Sequence, residues 1–165
     1  MSDKKILIVF YSRTSTTKKI ANEMKDILCC EKDIPNCQIE EVIDKANRNG
    51  VIGFIKSGYG ALKGKTTNIE RTRNDVSKYD MVIIGTPVWA GHVSCAIRTY
   101  IYENRSKLKE VAFFSTQMGA DQDKVFDDLK SICGLNPKAT LRLLGNDIKN
   151  NECKSKISNF IDAIK

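Results

Sequence analysis

Three stretches of the chain, 6–11, 81–84 and 111–114, are apolar at every position. Uninterrupted apolar runs are typical of parallel strands that are covered on both faces. Two other stretches, 37–44 and 139–144, alternate between mostly apolar and mostly polar positions, which suits the edges of a sheet. We therefore expect five strands, with three in the centre of a sheet and two at its edges.

The segments between these strands have helical spacing. Apolar residues recur three or four positions apart, as they do in helices that turn one face toward a core. The segments with this spacing are 20–28, 93–100, 125–132 and 157–164. The stretch 51–62 contains Gly53, Gly58 and Gly60, each of which weakens a helix by roughly 1 kcal/mol relative to Ala. It still has to supply the crossover between the second and third strands.

Strands that alternate with helical segments indicate an α/β fold, in which a parallel sheet carries helices on both faces. With the alternating strands at the edges, we predict a doubly wound, five-stranded parallel sheet of order 2-1-3-4-5 in a three-layer sandwich. Residues 1–165 should form a single domain, since no Pro-, Gly- or Ser-rich linker interrupts the chain. In folds of this type, ligands bind beyond the carboxyl ends of the strands, at the switch between strands one and three.

The chain is basic, with 27 Lys and Arg against 20 Asp and Glu and a net charge of +7. The segment from Lys56 to Arg73 concentrates this charge, which favours an anionic ligand or partner. Nucleic acid is not expected, because only Phe54 and Tyr59 supply aromatic side chains near these cations and no known binding motif is present.

The six cysteines and the single His92 show neither CxxC nor zinc-ligand spacing, so we predict free thiols and no metal site. The apolar run 6–11 is too short for a signal peptide core or a membrane span. We therefore expect a cytoplasmic protein without a membrane partner.

Hydroxyl side chains crowd the end of the first strand, at Ser12, Thr14, Ser15, Thr16 and Thr17. Backbone N–H groups at a helix start, together with hydroxyl donors, can hold a phosphate. Neither GxGxxG nor GxxxxGK occurs, so a mononucleotide phosphate is the remaining candidate. A helix cap within a polar turn is the alternative. Arg13 can contact the phosphate or face solvent.

Three loops carry a resemblance to a known family: YSRTSTT after strand one, GTPVWAG after strand three and FSTQMGA after strand four. They resemble the three FMN-binding loops of flavodoxins, in the same order. The resemblance covers essentially the whole chain and is closest to short flavodoxin-like proteins whose middle loop has the sequence G-T/S-P-V/I-W-x-G. It implies a flavodoxin-like sandwich with FMN as cofactor.

The resemblance also implies roles for individual residues. The FMN phosphate would be bound by Ser12, Thr14, Ser15, Thr16 and Thr17, with Arg13 beside it. One side of the isoalloxazine ring would meet Pro87, Val88, Trp89, Ala90 and Gly91. Its other side or its pyrimidine edge would meet Ser115, Thr116, Gln117, Met118 and Gly119. Trp89 either stacks near the ring or belongs to the core.

Gly91 either permits a peptide rearrangement near flavin N5, as the resemblance suggests for the Ala90–Gly91 peptide, or is an ordinary turn glycine.

Two features depart from the family. Ser15 occupies a position that is usually Gly, and it would be strained by roughly 1 kcal/mol if φ there is positive. The chain is also basic, whereas electron-shuttling flavodoxins are typically acidic, so its protein partners should differ.

Two functions remain open. An electron-transfer flavoprotein would pass electrons between redox partner proteins, and the absence of an acid–base pair in the loops favours it. An NAD(P)H-dependent FMN or quinone reductase is the alternative, favoured by a basic surface that attracts a polyanionic dinucleotide. We expect a monomer or a weak dimer. His92 either donates a proton or contacts an anionic substrate, or it merely begins a helix.

Overall fold

A computed structural model describes residues 4–32, 34–119, 124–150 and 152–165. Within these ranges, six strands form one sheet. They are β1 (Ile6–Phe10), β2 (Cys37–Glu41), β3 (Met81–Trp89), β4 (His92–Val93), β5 (Glu110–Gln117) and β6 (Thr140–Leu144). The three continuous apolar runs lie in β1, β3 and β5, as predicted, except that Tyr11 follows the end of β1.

The strand order is β2-β1-β3-β5-β6, and all four of these pairings are parallel. The two-residue strand β4 folds back antiparallel on the end of β3. If β4 is left out of the count, the observed order is the predicted 2-1-3-4-5. The alternating segments form the edge strands β2 and β6, where a side chain can reach solvent.

Six α-helices connect or follow the strands in the described ranges. They are α1 (Thr16–Asp26), α2 (Gly50–Leu62), α3 (Cys95–Asn104), α4 (Val125–Cys133), α5 (Gly145–Lys149) and α6 (Cys153–Ile164). A π-helical turn (Ile27–Glu31) extends α1, and the sequence pattern does not predict the short α5. None of the helices in the described part of the chain has the length and apolar composition needed to cross a bilayer.

Side chains of the sheet alternate between two apolar cores, which gives the predicted three-layer sandwich. Ile8 and Ile83 belong to a core that includes residues of α1 and α6. Val9 and Ile84 belong to a second core that includes residues of α3 and α4. The central strands are therefore apolar at consecutive positions because each face of the sheet meets helices.

Helix α2 forms despite its glycines, and it turns its small residues toward the protein. Its buried residues are Gly53, Ser57, Gly60 and Ala61. A Cβ at Gly60 would lie 2.9 Å from Sγ of Cys95, and one at Gly53 would overlap the main chain of Arg48. The glycines allow a close approach that a larger residue would prevent. The large apolar residues of α2 consequently face outward.

Candidate functional site

A pocket of about 420 Å³ opens where β1, β3 and β5 end. This volume lies within the usual range for small-molecule sites. The lining consists of Arg13, Thr14, Thr16, Thr17, Phe54, Pro87, Val88, Trp89, Gly91, Thr116, Gln117, Met118, Gly119 and Ile148. All three of the predicted cofactor loops therefore contribute to one pocket.

Not every candidate residue lines this pocket. Ser12, Ser15, Ala90 and Ser115 are outside the lining, although each neighbours a residue that is part of it. Ala120, the last residue of the third motif, is outside the described residues. Two lining residues, Phe54 and Ile148, were not among the candidates. Phe54 is a bulky side chain in a glycine-rich segment, which is a weak signal, and no sequence pattern indicates Ile148.

The hydroxyl-rich loop leads directly into α1, and two of its hydroxyls are buried. Oγ1 of Thr17 lies 2.8 Å from Oγ1 of Thr116, so this hydrogen bond joins the first loop to the third. The buried Oγ of Ser12 has no hydrogen-bond partner among the described residues. The side chain of Ser15 makes no capping hydrogen bond at the start of α1. Capping by Ser15 therefore does not account for this group of hydroxyls.

Ser15 has φ +65° and ψ 0°, which is the left-handed conformation. An L-residue with a Cβ costs roughly 1–2 kcal/mol in this region, whereas Gly adopts it readily. The positive φ on which the expected strain at Ser15 depended is therefore present.

Replacing Ser15 with Gly is expected to raise the free energy of unfolding by about 1 kcal/mol, because Gly removes the Cβ that opposes positive φ. Urea denaturation followed by circular dichroism measures the change. Thr16→Gly is the matched control. Thr16 begins α1, and Gly is a poor helix former, so this variant should have a lower free energy of unfolding than the parent chain. If S15G is no more stable than the parent chain, φ at residue 15 carries no strain.

Arg13 contacts the start of α2. Its Nε donates to the carbonyl oxygen of Arg48 at 2.9 Å, and its Nη2 donates to that of Gly50 at 3.4 Å. Its guanidinium also lies 5.5 Å from the ring centre of Phe54. Arg13 therefore connects the hydroxyl-rich loop to α2 and still lines the pocket, an arrangement that the sequence alternatives did not include.

Trp89 lines the pocket and also belongs to the second core, so the core interpretation is confirmed, while stacking against a ring stays a prediction. It is 8% exposed and meets the Tyr11 ring edge to face at 5.4 Å. The guanidinium of Arg48 lies 5.7 Å from the Trp89 ring centre and pairs with Asp44 at 3.0 Å. Burial, with Asp44 nearby, raises the pKa of Tyr11 to about 12, so the phenol beside Trp89 is neutral.

Ala90 and Gly91 form the tight turn between β3 and β4, with φ of 49° and 80°. Two consecutive positive φ values are typical of the type I′ turn of two-residue hairpins, where Ala is an unusual occupant. The carbonyl of Gly91 accepts a hydrogen bond from N of Lys124 at 2.8 Å. Gly91 is thus a turn glycine in this conformation, held by the chain just before α4.

His92 lies against α4. Its Nδ1 is 2.8 Å from Oδ2 of Asp128, and the same oxygen accepts a hydrogen bond from the backbone N–H of Val93 at 3.3 Å. Nη2 of Arg98 is 3.5 Å from this oxygen. The side chain of His92 is outside the pocket lining. Its observed contact therefore fixes the hairpin to α4.

The third loop contributes residues to the pocket lining that differ in burial. Thr116 is buried, whereas Met118 is 78% exposed. A Cβ at Gly145 would lie 3.2 Å from Sδ of Met118, so the start of α5 lies close to this side chain.

The site as a whole combines hydroxyls at a helix start with aromatic and apolar walls. It can take a ligand that has a flat apolar part and an anionic end.

Comparison with solved structures identifies similar folds. A flavoprotein from Lactobacillus acidophilus in complex with FMN is 26% identical, covering 90% of this chain and 97% of its own, with a TM-score of 0.69. Two-electron reduced flavodoxin from Megasphaera elsdenii is 16% identical over 92% and 95%, with a TM-score of 0.59. A WrbA-like flavodoxin from Agrobacterium tumefaciens is 12% identical over 98% and 96%, with a TM-score of 0.57.

Comparison with curated proteins finds no match. A family model of the flavodoxin domain matches residues 51–146, which is more than half of the 165 residues. The matched region runs from α2 to the first residues of α5, so it includes the second and third loops of the pocket. This chain therefore belongs to the flavodoxin domain family.

Proposed function

We propose that this protein binds FMN in the pocket and transfers electrons between redox partners. The observation that carries the proposal is the convergence of the hydroxyl-rich loop, Trp89 and the third loop on one cavity. The Lactobacillus acidophilus flavoprotein with a similar fold was crystallised with FMN. The single-domain organisation and the contacts assigned to individual residues belong to the same proposal.

The anionic end of FMN fits the start of α1. Ser12 offers a buried hydroxyl that lacks a partner among the described residues, and Thr14, Thr16 and Thr17 line the pocket beside it. Oriented N–H and O–H donors can bind a phosphate at a helix N-terminus. Arg13 would add positive charge nearby while it holds α2 in place.

The flat part of FMN fits the apolar walls. Trp89 is already held by Tyr11 and Arg48, so little conformational freedom remains for it to lose when a ring packs against it. Pro87, Val88, Gly91, Gln117 and Met118 also line the pocket. When bound, FMN supplies the electron-accepting and electron-donating chemistry, and the protein supplies binding and orientation.

Electron transfer is favoured over substrate chemistry by the composition of the pocket. Among the described lining residues, only Arg13 has a side chain that is charged at neutral pH, and none is Asp, Glu, His, Lys, Cys or Tyr. A reaction that needs a general acid or base would require such a group within reach. An electron carrier does not.

An NAD(P)H-dependent FMN or quinone reductase is the second candidate. The net charge of +7 supports it, because a dinucleotide phosphate is polyanionic and would be attracted to a basic surface.

We also propose a cytoplasmic location, which the six free cysteines support, since disulfides are rare in that compartment.

Reconstitution with FMN tests the proposal. We expect the purified chain to retain FMN through gel filtration and to show a protein-bound flavin absorption spectrum. Dithionite should then reduce the flavin in two separable one-electron steps, while NAD(P)H alone should leave it oxidised. Rapid bleaching by NAD(P)H would favour the reductase, and a chain that retains no FMN from an excess would contradict both candidates.

A further inference from the structure

Helix α2 presents a large apolar surface to solvent. Six of its side chains are between 53% and 75% exposed: Val51, Ile52, Phe54, Ile55, Tyr59 and Leu62. An isolated exposed apolar residue is ordinary, but a contiguous group on one helix face usually marks an interaction site. We call these six residues the α2 face.

The arrangement of the α2 face follows from helix geometry. With about 3.6 residues per turn, Val51, Ile55 and Leu62 lie at its centre. Lys56 and Lys63 lie on one flank, and Phe54 lies on the other. Phe54 also lines the pocket, so the α2 face continues to the edge of the proposed FMN site. A molecule that covers this face therefore comes close to the cofactor.

The segment that carries the α2 face has side-chain charges of one sign. No Asp or Glu occurs from 45 to 69, whereas Lys45, Lys56, Lys63 and Lys65 do. The fifth cation of this stretch, Arg48, is paired with Asp44. The ammonium group of Lys65 lies 5.0 Å from the ring centre of Tyr59, which puts positive charge next to the apolar side chains. An acidic partner complements this surface.

We infer that the α2 face is the docking surface for an acidic redox protein whose own contact region has an apolar centre and a carboxylate rim. This inference rests on the proposed function. In the exchange, one electron would pass from the partner's redox centre, which is oxidised, to FMN in the proposed site, which is reduced; Phe54 belongs to both the α2 face and the pocket lining. Apolar contact with Val51, Ile55 and Leu62 holds the complex together, and the lysines steer the encounter.

A second copy of this chain is a less suitable occupant. Its α2 face would present the same lysines, and like charges across an interface oppose association. A redox protein docked on this face would also lie close to the proposed FMN site, as electron transfer requires. A second copy and an anionic lipid surface are therefore treated as alternative outcomes of the test.

The test uses the FMN-loaded chain and a reduced acidic [2Fe–2S] ferredoxin as the probe. Stopped-flow absorbance gives the second-order rate constant for FMN reduction, and calorimetry with oxidised ferredoxin gives a dissociation constant that needs no electron transfer. The test variant is Ile55→Ser/Leu62→Ser, which changes no residue of the pocket lining. Tyr102→Ser is the matched control, because Tyr102 is an exposed large side chain on α3.

We expect the double variant to lower both the rate constant and the affinity at least about tenfold, as loss of two central contacts does at interfaces. The Y102S variant should behave as the parent chain, and the parent rate constant should fall as salt rises. All variants should keep the same melting temperature and the same rate of reduction by dithionite.

Several outcomes would overturn the inference. The first two are a double variant that binds ferredoxin as tightly as the parent chain and a rate constant that does not fall as salt rises. The third is a parent chain that is dimeric by ultracentrifugation while the double variant is monomeric. The fourth is a parent chain that sediments with phosphatidylglycerol vesicles while the double variant does not. Failure of the proposed function is distinguishable, because a chain that retains no FMN is recognised from its spectrum before any ferredoxin is added.

Discussion

Replacing Gly85 with Ala is expected to lower the free energy of unfolding by about 3 kcal/mol, at the upper end of the usual cost of overpacking a core. Gly85 lies in the middle of β3, in register with Phe10 of β1 and Phe114 of β5. A Cβ there would overlap the ring of Phe114, which is fully buried. Urea denaturation of the purified variant measures the loss.

Two further variants make this prediction specific. Gly58→Ala is the control, because a Cβ at Gly58 in α2 meets nothing closer than Cβ of Ala90 at 3.9 Å. It should stabilise the protein, since Ala is the better helix former by roughly 1 kcal/mol. Adding Phe114→Leu to G85A should recover part of the lost stability by making room. If G85A is as stable as G58A, the ring of Phe114 does not restrict position 85.

Replacing Thr17 with Val is expected to weaken FMN binding about tenfold to hundredfold, the usual cost of a lost hydrogen bond to a charged group. Thr17 is 1% exposed and lines the pocket, and its hydroxyl forms a hydrogen bond with Thr116. Val has nearly the same shape as Thr but lacks the hydroxyl. Titration of FMN fluorescence against each protein gives the affinities. Riboflavin lacks the phosphate, so its affinity should change less.

Thr140→Val is the matched control for this substitution, since Thr140 is an exposed Thr of the edge strand β6. It should leave FMN affinity unchanged. A melting temperature for each variant separates loss of the ligand contact from loss of the fold. Equal FMN affinities for T17V and the parent chain would remove Thr17 from the proposed phosphate site.

Long, strongly patterned elements could be predicted from the sequence, and short ones could not. Burial on both faces gives β1, β3 and β5 a signal that does not depend on their neighbours. The strand β4 has two residues and α5 has five, which is too few for any period to be recognised. These two elements arise from tertiary contacts, such as the hydrogen bonds that Asp128 makes with the hairpin.

The orientation of α2 shows a different limit. Periodicity separates a large-residue face from a small-residue face, but it does not say which one meets the protein. Here the small face is buried, because Gly53 and Gly60 lie too close to Arg48 and Cys95 for a side chain. That closeness is a property of the folded chain, so the sequence could not reveal that Phe54 reaches the pocket.

The loops of the site could be predicted because they follow the carboxyl ends of the predicted central strands, where ligands bind in parallel α/β sheets. The partners of individual side chains could not be predicted. Arg13 binds a carbonyl 35 residues away, and His92 binds a carboxylate 36 residues away. Pairings over such distances are decided by the packing of whole elements, so the sequence left both residues with open alternatives.

The hydrogen bond between Thr17 and Thr116 has a consequence for how the protein assembles. It joins positions 99 residues apart. The hydroxyl-rich loop therefore reaches its final geometry only after β5 has taken its place in the sheet, which makes the pocket a late product of folding. A fragment that ends before β5 should form no cofactor site. A ligand held at this junction would stabilise the complete sheet against global unfolding, because it binds only the assembled state.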